Sequence, residues 1–340
     1  MQRTGACWTR WVLSALSLAC LVTLPVALGQ ESKSLPPRLK APFGPQQARR
    51  AQKDWAEHLD TPVVKTNSIG MKLVLIPPGE FQMGSPKDDV ERDNDELQHL
   101  VRITRPFYLG AYEVTQAEFQ QVMGRNPSWF SSTGIGKDEV SGLDTSRFPV
   151  DMVSWYDAAE FCNRLSQRED LKPYYRLQQI KRDEDGSIAS AQVTVLGGPG
   201  YRLPTEAQWE YACRAGTTTP FYMDSCTGSQ ANVDGRLECV TANPIFLRRT
   251  TQVGKYPPNA FGLYDMHGNV WEWCEDWYDA KFYFHSPLED PVNRRKSNGH
   301  VLRGGSWYDP PRNVRSASRD ERKPSDQSVG VGFRVARAVE

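Results

Sequence analysis

The stretch Gly262-Leu-Tyr-Asp-Met-His-Gly-Asn-Val-Trp-Glu-Trp273 carries the most information about the fold of this chain. Two further segments follow it, Arg303-Gly-Gly-Ser-Trp307 and Gly332-Phe-Arg334. Glycine and tryptophan recur in these segments, and the whole chain holds 26 Gly, 24 Pro and 10 Trp. This composition predicts many turns and a loop-rich domain with a sizeable core, rather than a helical bundle.

The chain has no formal net charge, because its 340 residues include 41 basic and 41 acidic side chains. A protein that binds nucleic acid or an anionic membrane surface through its overall charge needs a positive excess. The glycine-rich, zinc-peptidase and serine-hydrolase motifs of common enzyme classes are also missing from the sequence. We therefore expect no nucleic-acid partner and none of these reaction types.

The N-terminus has the pattern of a secretory signal peptide. Arg3 and Arg10 accompany an apolar run from Trp11 to Leu28, and small residues surround its end at Gly29. We predict a signal peptide at 1–29 and export to the periplasm, the cell envelope or the extracellular space, with no transmembrane domain in the mature chain. Serines and a proline interrupt the apolar run, which disfavours the alternative of an uncleaved membrane anchor.

The rest of the chain is interpreted as a linker followed by a single domain. Residues 30–66 are polar and lack apolar periodicity, so they predict a linker with one short helix around 46–59. The strand-like run Met71-Lys-Leu-Val-Leu-Ile76 opens the domain, which we place at 67–338 because no linker-like break follows. The acidic cluster at 87–96 has no EF-hand spacing and lacks the turn glycine, so it predicts a solvated loop rather than a calcium site.

Local signals predict three helices and a hairpin. Capping residues at Thr115, Ser154 and Thr205 mark the helix starts. Gly216 is expected to end the third helix in a left-handed cap. The Asp185-Gly186 pair lies between two alternating runs and predicts a β-hairpin within 174–201.

The mature chain would keep five cysteines, Cys162, Cys213, Cys226, Cys239 and Cys274. An odd number leaves at least one thiol unpaired in an oxidising compartment. Cys226 and Cys239 lie in one loop-like segment and could pair with each other. Buried free thiols are the alternative, because cysteine packs well as a small apolar residue.

The three segments quoted at the start resemble the formylglycine-generating enzymes, also called sulfatase-modifying factors. These enzymes carry G-N-x-W-E-W, R-G-G-S and G-F-R in this order. Further landmarks of the family follow one another in the expected order at Met71–Gly84, Tyr112–Gln116, Pro149–Trp155, Arg202–Tyr211 and Pro257–Tyr264. The resemblance implies a single α+β domain with little regular secondary structure, distantly like C-type lectins, and with bound calcium.

The resemblance also implies ligands for calcium. It assigns the side chains of Asp265 and Glu272 and the carbonyls of Gly268 and Val270, a set of oxygens that suits a hard cation. The alternative is that both carboxylates merely accept backbone hydrogen bonds. A second family site would start at Asn232-Val233, but the Asp-Gly-aromatic segment that completes it is not found within 235–249.

The cysteine pair of the active family members is missing. It follows R-G-G-S and binds copper(I) beside the substrate thiol, whereas residues 307–315 here read Trp-Tyr-Asp-Pro-Pro-Arg-Asn-Val-Arg. Asp309 stands at the first cysteine position, and Val314 or a gap stands at the second. Copper(I) prefers soft thiolates over carboxylate oxygen, so we do not expect copper.

A substrate groove is expected to persist around the missing metal site. The resemblance places Trp271 and Ser306 in its lining, and we add Trp307, Asp309 and Arg312 as candidate contacts. Ser306 as a nucleophile is disfavoured, because the sequence offers no identifiable His-Asp partnership.

Cysteines and one histidine are the remaining candidates for chemistry. Cys162 and Cys213 match family disulfide positions whose partners here are Val335 and a residue near Ser316, so we expect packed thiols. Cys274 is the one catalytic candidate, although a single thiolate is a poor copper site. A sister branch binds iron through histidines, but His267 is expected to be a hydrogen-bonded loop residue.

Three functions therefore compete. The leading hypothesis is an exported, calcium-stabilised binding module that presents the groove to a peptide, a protein or a glycan. The enzyme hypothesis is an oxidoreductase that still converts a substrate cysteine to formylglycine or oxidises another thiol. The third is a structural component of the cell envelope.

Overall fold

The computed structural model describes residues 8, 9, 11, 34–224, 226–237 and 245–339. Nearly all of the predicted signal peptide at 1–29 and the Cys239 half of the predicted pair lie outside the described residues. Across the residues that are described, no helix has both the length and the apolar character needed to cross a membrane.

Each predicted helix start is confirmed by its cap. The helices of the described residues are α1 Pro45–His58, α2 Gln116–Met123, α3 Trp155–Arg168 and α4 Glu206–Arg214. Thr115, Ser154 and Thr205 each accept a hydrogen bond from the backbone of the third helical residue, which completes a capping box. The left-handed cap of α4 begins one residue earlier than predicted, at Ala215 with φ 44°, and continues at Gly216 with φ 100°.

Short strands supply the rest of the regular structure. They are β1 Leu39–Lys40, β2 Val64–Thr66, β3 Lys72–Ile76, β4 Gly79–Met83, β5 His99–Ile103, β6 Phe107–Gly110, β7 Tyr175–Arg182, β8 Ile188–Val195, β9 Trp271–Trp277, β10 His300–Arg303, β11 Arg319–Arg322, β12 Val331–Gly332 and β13 Ala336–Ala338. They form sheets in the orders β1-β4-β5, β11-β10-β9-β12 and β13-β6-β3-β2, with β7-β8 as the predicted hairpin. The mixture of separate helices and mostly antiparallel sheets confirms an α+β single domain.

The prediction of a polar linker at 30–66 is wrong from residue 35 onward, where one compact unit begins. Strand β1 pairs in parallel with β4, and β2 pairs antiparallel with β3. Trp55 on α1 is buried, and Gln52 donates hydrogen bonds to the carbonyls of Leu75 and Phe261, both 3.0 Å long. The buried face of α1 consists mainly of alanines, which is why its hydrophobic pattern was weak.

The acidic segment at 87–96 is not simply a solvated loop. Glu96 is completely buried and forms a two-pronged ion pair with Arg315, with N–O distances of 2.7 and 2.8 Å. Ser85 also donates to Glu96 at 2.7 Å. A buried carboxylate needs such partners. The local sequence pattern could not show that the distant Arg315 pairs with Glu96.

Candidate functional site

The register of the central sheet brings the three motif segments together. Glu272 on β9 lies opposite Arg303 of β10 on one side and opposite Gly332 of β12 on the other. Gly305 then turns the chain with φ 72°, and a Cβ added there would collide with the side chain of Val314. Glycine is required at this position, because the loop that follows passes directly over it.

The charged residues of the motifs hold one another in the core. Arg334 pairs with both oxygens of Glu272, at 2.5 and 2.6 Å, and Trp209 donates to the same carboxylate at 2.7 Å. Arg303 pairs with Glu210 at 2.5 Å and donates to three carbonyls in the segment 316–318. Both arginines are fully buried. These side chains therefore stabilise the fold.

Asp309 is a hydrogen-bond acceptor at the centre of the predicted groove. Its Oδ2 accepts from Trp271 Nε1 at 2.9 Å, from the Ser306 backbone at 3.0 Å and from Ser306 Oγ at 2.5 Å. Trp271, Ser306 and Asp309 are all buried. The structure thus brings three of the five predicted groove residues into mutual contact, beneath the surface.

The other two groove residues lie further out. Trp307 is half-buried, packs against Phe130 and Phe246 with ring centroids 5.4 and 5.9 Å away, and donates to the Val329 carbonyl at 3.1 Å. The side chain of Arg312 is exposed. Trp307 and Arg312 are the members of this set that a ligand can reach without rearranging the core.

The proposed calcium ligands fit a cation only in part. The Oδ2 atom of Asp265 accepts from the Gly254 backbone at 2.6 Å, whereas its Oδ1 is buried without a hydrogen-bond partner among the described residues. Asn232 Oδ1 is also buried without a hydrogen-bond partner among the described residues. Glu272 does not fit, because Arg334 and Trp209 already occupy its oxygens. Gly268 and Val270 are buried a few residues after Asp265, and the resemblance assigns their carbonyls to the same site.

The sequence did not predict Glu113, a buried carboxylate that neighbours Asp265. Its Oε1 accepts from Asn269 at 2.9 Å, and its Oε2 has no partner within the described part of the chain. Burial and the neighbouring Asp265 raise the pKa of Glu113 well above its usual range, and burial raises the pKa of Asp265 to about 6. The available sequence signal was the position of Glu113 within the landmark Tyr112-Glu-Val-Thr-Gln116. That landmark had served only to indicate the family.

The cysteines with described side chains are buried. Burial raises the pKa of Cys274 well above its usual range and raises that of Cys213 to about 12, so neither thiol ionises near neutral pH. Cys213 Sγ lies 3.6 Å from Ser316 Oγ, which agrees with the partner position inferred from the resemblance. Cys274 is therefore buried and protonated near neutral pH, unlike the partly exposed thiolates of reactive cysteines.

His267 is satisfied on both ring nitrogens. Nδ1 donates to the Val314 carbonyl at 2.6 Å, and Nε2 accepts from the Tyr222 backbone at 3.3 Å. Burial lowers its pKa to about 4. A neutral histidine with both nitrogens engaged agrees with the predicted hydrogen-bonded role.

A second surface feature was not predicted. A cleft of about 450 Å³ opens between β8, the first residues of α3 and the loop that joins β9 to β10. Its lining includes the rings of Trp155, Trp277 and His300 and the side chains of Arg294 and Lys296. The basic run Arg294-Arg-Lys296 after a tryptophan-rich strand was the available sequence signal.

Comparisons with known proteins agree with this architecture. The "Chaperone protein LppX" of Paenibacillus barcinonensis is 35% identical over 71% of this chain and 80% of its own length. The formylglycine-generating enzyme of Streptomyces coelicolor is 30% identical over 77% of this chain and 88% of its own length. The solved structure of Treponema denticola variable protein 1 matches with a TM-score of 0.66 and 29% identity, covering 82% of this chain and 100% of that chain.

The family model described as "Sulfatase-modifying factor enzyme 1-like domain" matches residues 61–339. The match begins within the segment predicted to be a linker and includes all three motif segments. This chain belongs to the sulfatase-modifying factor family.

Proposed function

We propose that this protein is an exported binding module of the family rather than a cysteine oxidase. The observation that carries the proposal is the hydrogen bonding of Asp309, which the family resemblance places at the first cysteine position. Its carboxylate is occupied by Trp271 and by the backbone and hydroxyl of Ser306. The groove floor is thereby built as a packed, hydrogen-bonded support, and Trp307 and Arg312 above it form the contact surface.

The chemistry of the available ligands supports the same conclusion. Copper(I) binds soft thiolate sulfur, and a carboxylate that already accepts three hydrogen bonds is a poor replacement. The remaining thiol on β9, Cys274, is buried and keeps its proton because burial raises its pKa. An oxidase would therefore need a different metal centre.

A polypeptide is the ligand class that we favour for this groove. The relative with 35% identity carries the name of a chaperone protein, and chaperones act on other polypeptide chains. Trp307 offers an apolar ring and Arg312 a cationic group, a pair that suits an extended peptide with apolar and acidic side chains. We also propose that calcium stabilises the fold through Asp265 and the carbonyls of Gly268 and Val270.

The first test is a mass-spectrometric assay of the mature protein with copper and oxygen on a peptide that contains Cys-x-Pro-x-Arg. We expect the peptide cysteine to stay unmodified. The Streptomyces coelicolor formylglycine-generating enzyme, under the same conditions, shows that the assay works. Conversion of the cysteine to formylglycine by this protein would overturn the proposal, and the Cys274→Ser variant would then show whether that thiol is involved.

A binding measurement tests the positive half of the proposal. An extended peptide of apolar and acidic residues serves as the probe, and its affinity is compared between the wild type and Trp307→Ala. We expect about tenfold weaker binding, as for the loss of an aromatic anchor. Trp129→Ala is the matched control, because Trp129 is a half-buried tryptophan beside the same small cluster. Equal affinities of the wild type and Trp307→Ala would contradict the groove assignment.

A further inference from the structure

The cleft beside α3 has the features of a binding site distinct from the groove. Its volume of about 450 Å³ lies in the range of small-ligand pockets, about 300–1,000 Å³. Trp271 and Trp277 begin and end the seven-residue strand β9, so the groove floor and this cleft lie at opposite ends of one strand. A ligand in the cleft would therefore leave the groove around Trp307 accessible.

The inner wall of the cleft is a stack of three rings. His300 lies between Trp155 and Trp277, with ring centroids 4.0 and 3.9 Å away. Trp155 is fixed from behind, because its Nε1 donates to the Cys274 carbonyl at 2.8 Å. Trp277 is the partly exposed member. The result is a rigid aromatic surface that is ordered before any ligand arrives, which lowers the entropic cost of binding.

His300 gives this wall one hydrogen-bond acceptor. Its Nδ1 lies 3.2 and 3.1 Å from the carbonyls of Glu275 and Asp276 and must donate to them. Burial lowers the pKa of His300 to about 3, so the ring is neutral and Nε2 keeps its lone pair. In the described ranges no protein donor bonds Nε2. A ligand hydroxyl can therefore donate to it.

The outer rim of the cleft is cationic. Arg294 has a 55% exposed side chain, and its Nη2 donates to the buried Glu275 at 2.7 Å. This ion pair holds the guanidinium in position, and the exposure of the side chain keeps it accessible to a ligand. Lys296 adds a second exposed positive charge. Two cations against one carboxylate leave the rim with a positive excess, and Gln192 and Thr194 on β8 add exposed polar groups.

We propose that this cleft binds an anionic saccharide, that is, a sugar with a carboxylate or a sulfate group. The C–H face of a sugar ring would pack on Trp277, one hydroxyl would donate to His300, and the acidic group would meet Arg294 and Lys296. A guanidinium suits both anions, since its parallel N–H groups match their oxygens. A neutral sugar has no anionic group to pair with Arg294 and Lys296. An acidic peptide has no sugar ring whose C–H face could pack on Trp277.

The test is a titration followed by calorimetry and by tryptophan fluorescence. The probes are a galacturonic acid trimer, a sulfated carrageenan tetrasaccharide and neutral maltotriose. We expect saturable binding of one or both anionic probes and at least about tenfold weaker binding of maltotriose. The probe that binds more tightly identifies the preferred anion. Absence of saturable binding for both anionic probes overturns the proposal.

Variants separate a built site from general attraction of anions. Arg294→Gln together with Lys296→Gln should weaken binding by about tenfold or more, because both charges meet the acidic group. Arg295→Gln is the matched control for Lys296→Gln, since each removes one positive charge from the same loop, but Arg295 lines a neighbouring cleft and not this one. We expect it to change the affinity less than about twofold, as for an exposed charge. Should the double variant misfold, Lys296→Gln alone serves, because Lys296 has no ion pair within the described residues.

Three results would contradict the proposal in this design. Equal losses in Arg295→Gln and in the double variant would indicate non-specific attraction. Equally tight binding of hexaglutamate would indicate an acidic peptide. Loss of saccharide binding in Trp307→Ala would place the ligand in the groove instead, so failure of this inference and failure of the proposed groove remain distinguishable.

Discussion

At the scale of single residues, the buried charges explain why the motifs identify a fold rather than a reaction. Arg303 and Arg334 come from two motif segments, and their partners are Glu210, in the landmark Arg202–Tyr211, and Glu272, in the first motif segment. Removing one partner of such a buried pair costs about 3–5 kcal/mol, because the other charge is left uncompensated. A chain can therefore keep every one of these residues for stability after the reactive cysteines have been replaced.

Asp151 gives a prediction about pH at this scale. Its Oδ1 accepts from the Trp129 backbone at 2.7 Å, its Oδ2 has no partner among the described residues, and burial raises its pKa to about 8. The folded state then binds a proton that the unfolded state releases at its ordinary pKa of 3.8. This contribution to stability is complete below the unfolded pKa and is lost as the pH rises towards 8.

The measurement is the free energy of unfolding in urea between about pH 6.5 and pH 8, above the range where buried histidines take up protons on unfolding. The stability of the wild type should fall with rising pH, with a slope from this group of at most about 1.4 kcal/mol per pH unit. Asp151→Asn should flatten that slope. Asp144→Asn is the control, since the pKa of Asp144 is lowered by its bonds to Ser146. An unchanged slope in Asp151→Asn would contradict the assignment.

At the scale of elements, α4 and the loop before β11 are joined by contact where relatives are expected to have a disulfide. Cys213 on α4 lies 3.6 Å from the Ser316 hydroxyl. We predict that Ser316→Cys forms a disulfide with Cys213 under oxidising conditions. Closing a loop of about 100 residues restricts the unfolded chain, and a bond of this kind stabilises by about 2–4 kcal/mol.

The stability of Ser316→Cys is compared in oxidising and reducing buffer, together with the number of titratable thiols after unfolding. Oxidation should raise the melting temperature and remove two thiols. Ser318→Cys is the matched control, because Ser318 Oγ instead bonds the Arg312 carbonyl at 3.0 Å. If the thiol of Cys213 and the introduced thiol both still titrate after oxidation, the two backbones are not placed as described.

The elements also show what the sequence could and could not predict. Capping boxes and the Asp185-Gly186 turn are local patterns, so α2, α3, α4 and the β7-β8 hairpin were predictable. Strand β1 is two residues long and exists only through its pairing with β4. The same limit applies to the site, because the partners of Glu272 and Asp309 are set by long-range contacts. The resemblance singled out Asp309, but only the fold shows that its carboxylate accepts a hydrogen bond from Trp271.

At the scale of the whole molecule, three buried oxygens without a hydrogen-bond partner among the described residues lie where the motif loop meets the rest of the domain. They are Glu113 Oε2, Asn232 Oδ1 and Asp265 Oδ1. A buried acceptor without a donor is costly, and two neighbouring buried carboxylates disfavour each other's charge. No three His, Cys, Asp or Glu side chains among the described residues are arranged as metal ligands, so a cation here would depend on carbonyls as well. Calcium is the ion that accepts such mixed oxygen ligands.

We therefore predict that calcium raises the melting temperature of the mature protein and that a chelator lowers it. A ligand that binds only the native state, present at a hundredfold excess over its Kd, stabilises by about 2.7 kcal/mol. Asp265→Ala should abolish the calcium-dependent increment, whatever it does to the basal melting temperature through the lost Gly254 bond. Asp88→Ala, at an exposed position of the acidic loop, should keep the increment. A full increment in Asp265→Ala would place the calcium at another site. No increment in the wild type would mean that protons, rather than calcium, neutralise the buried carboxylates, the outcome with which the raised pKa of Glu113 agrees.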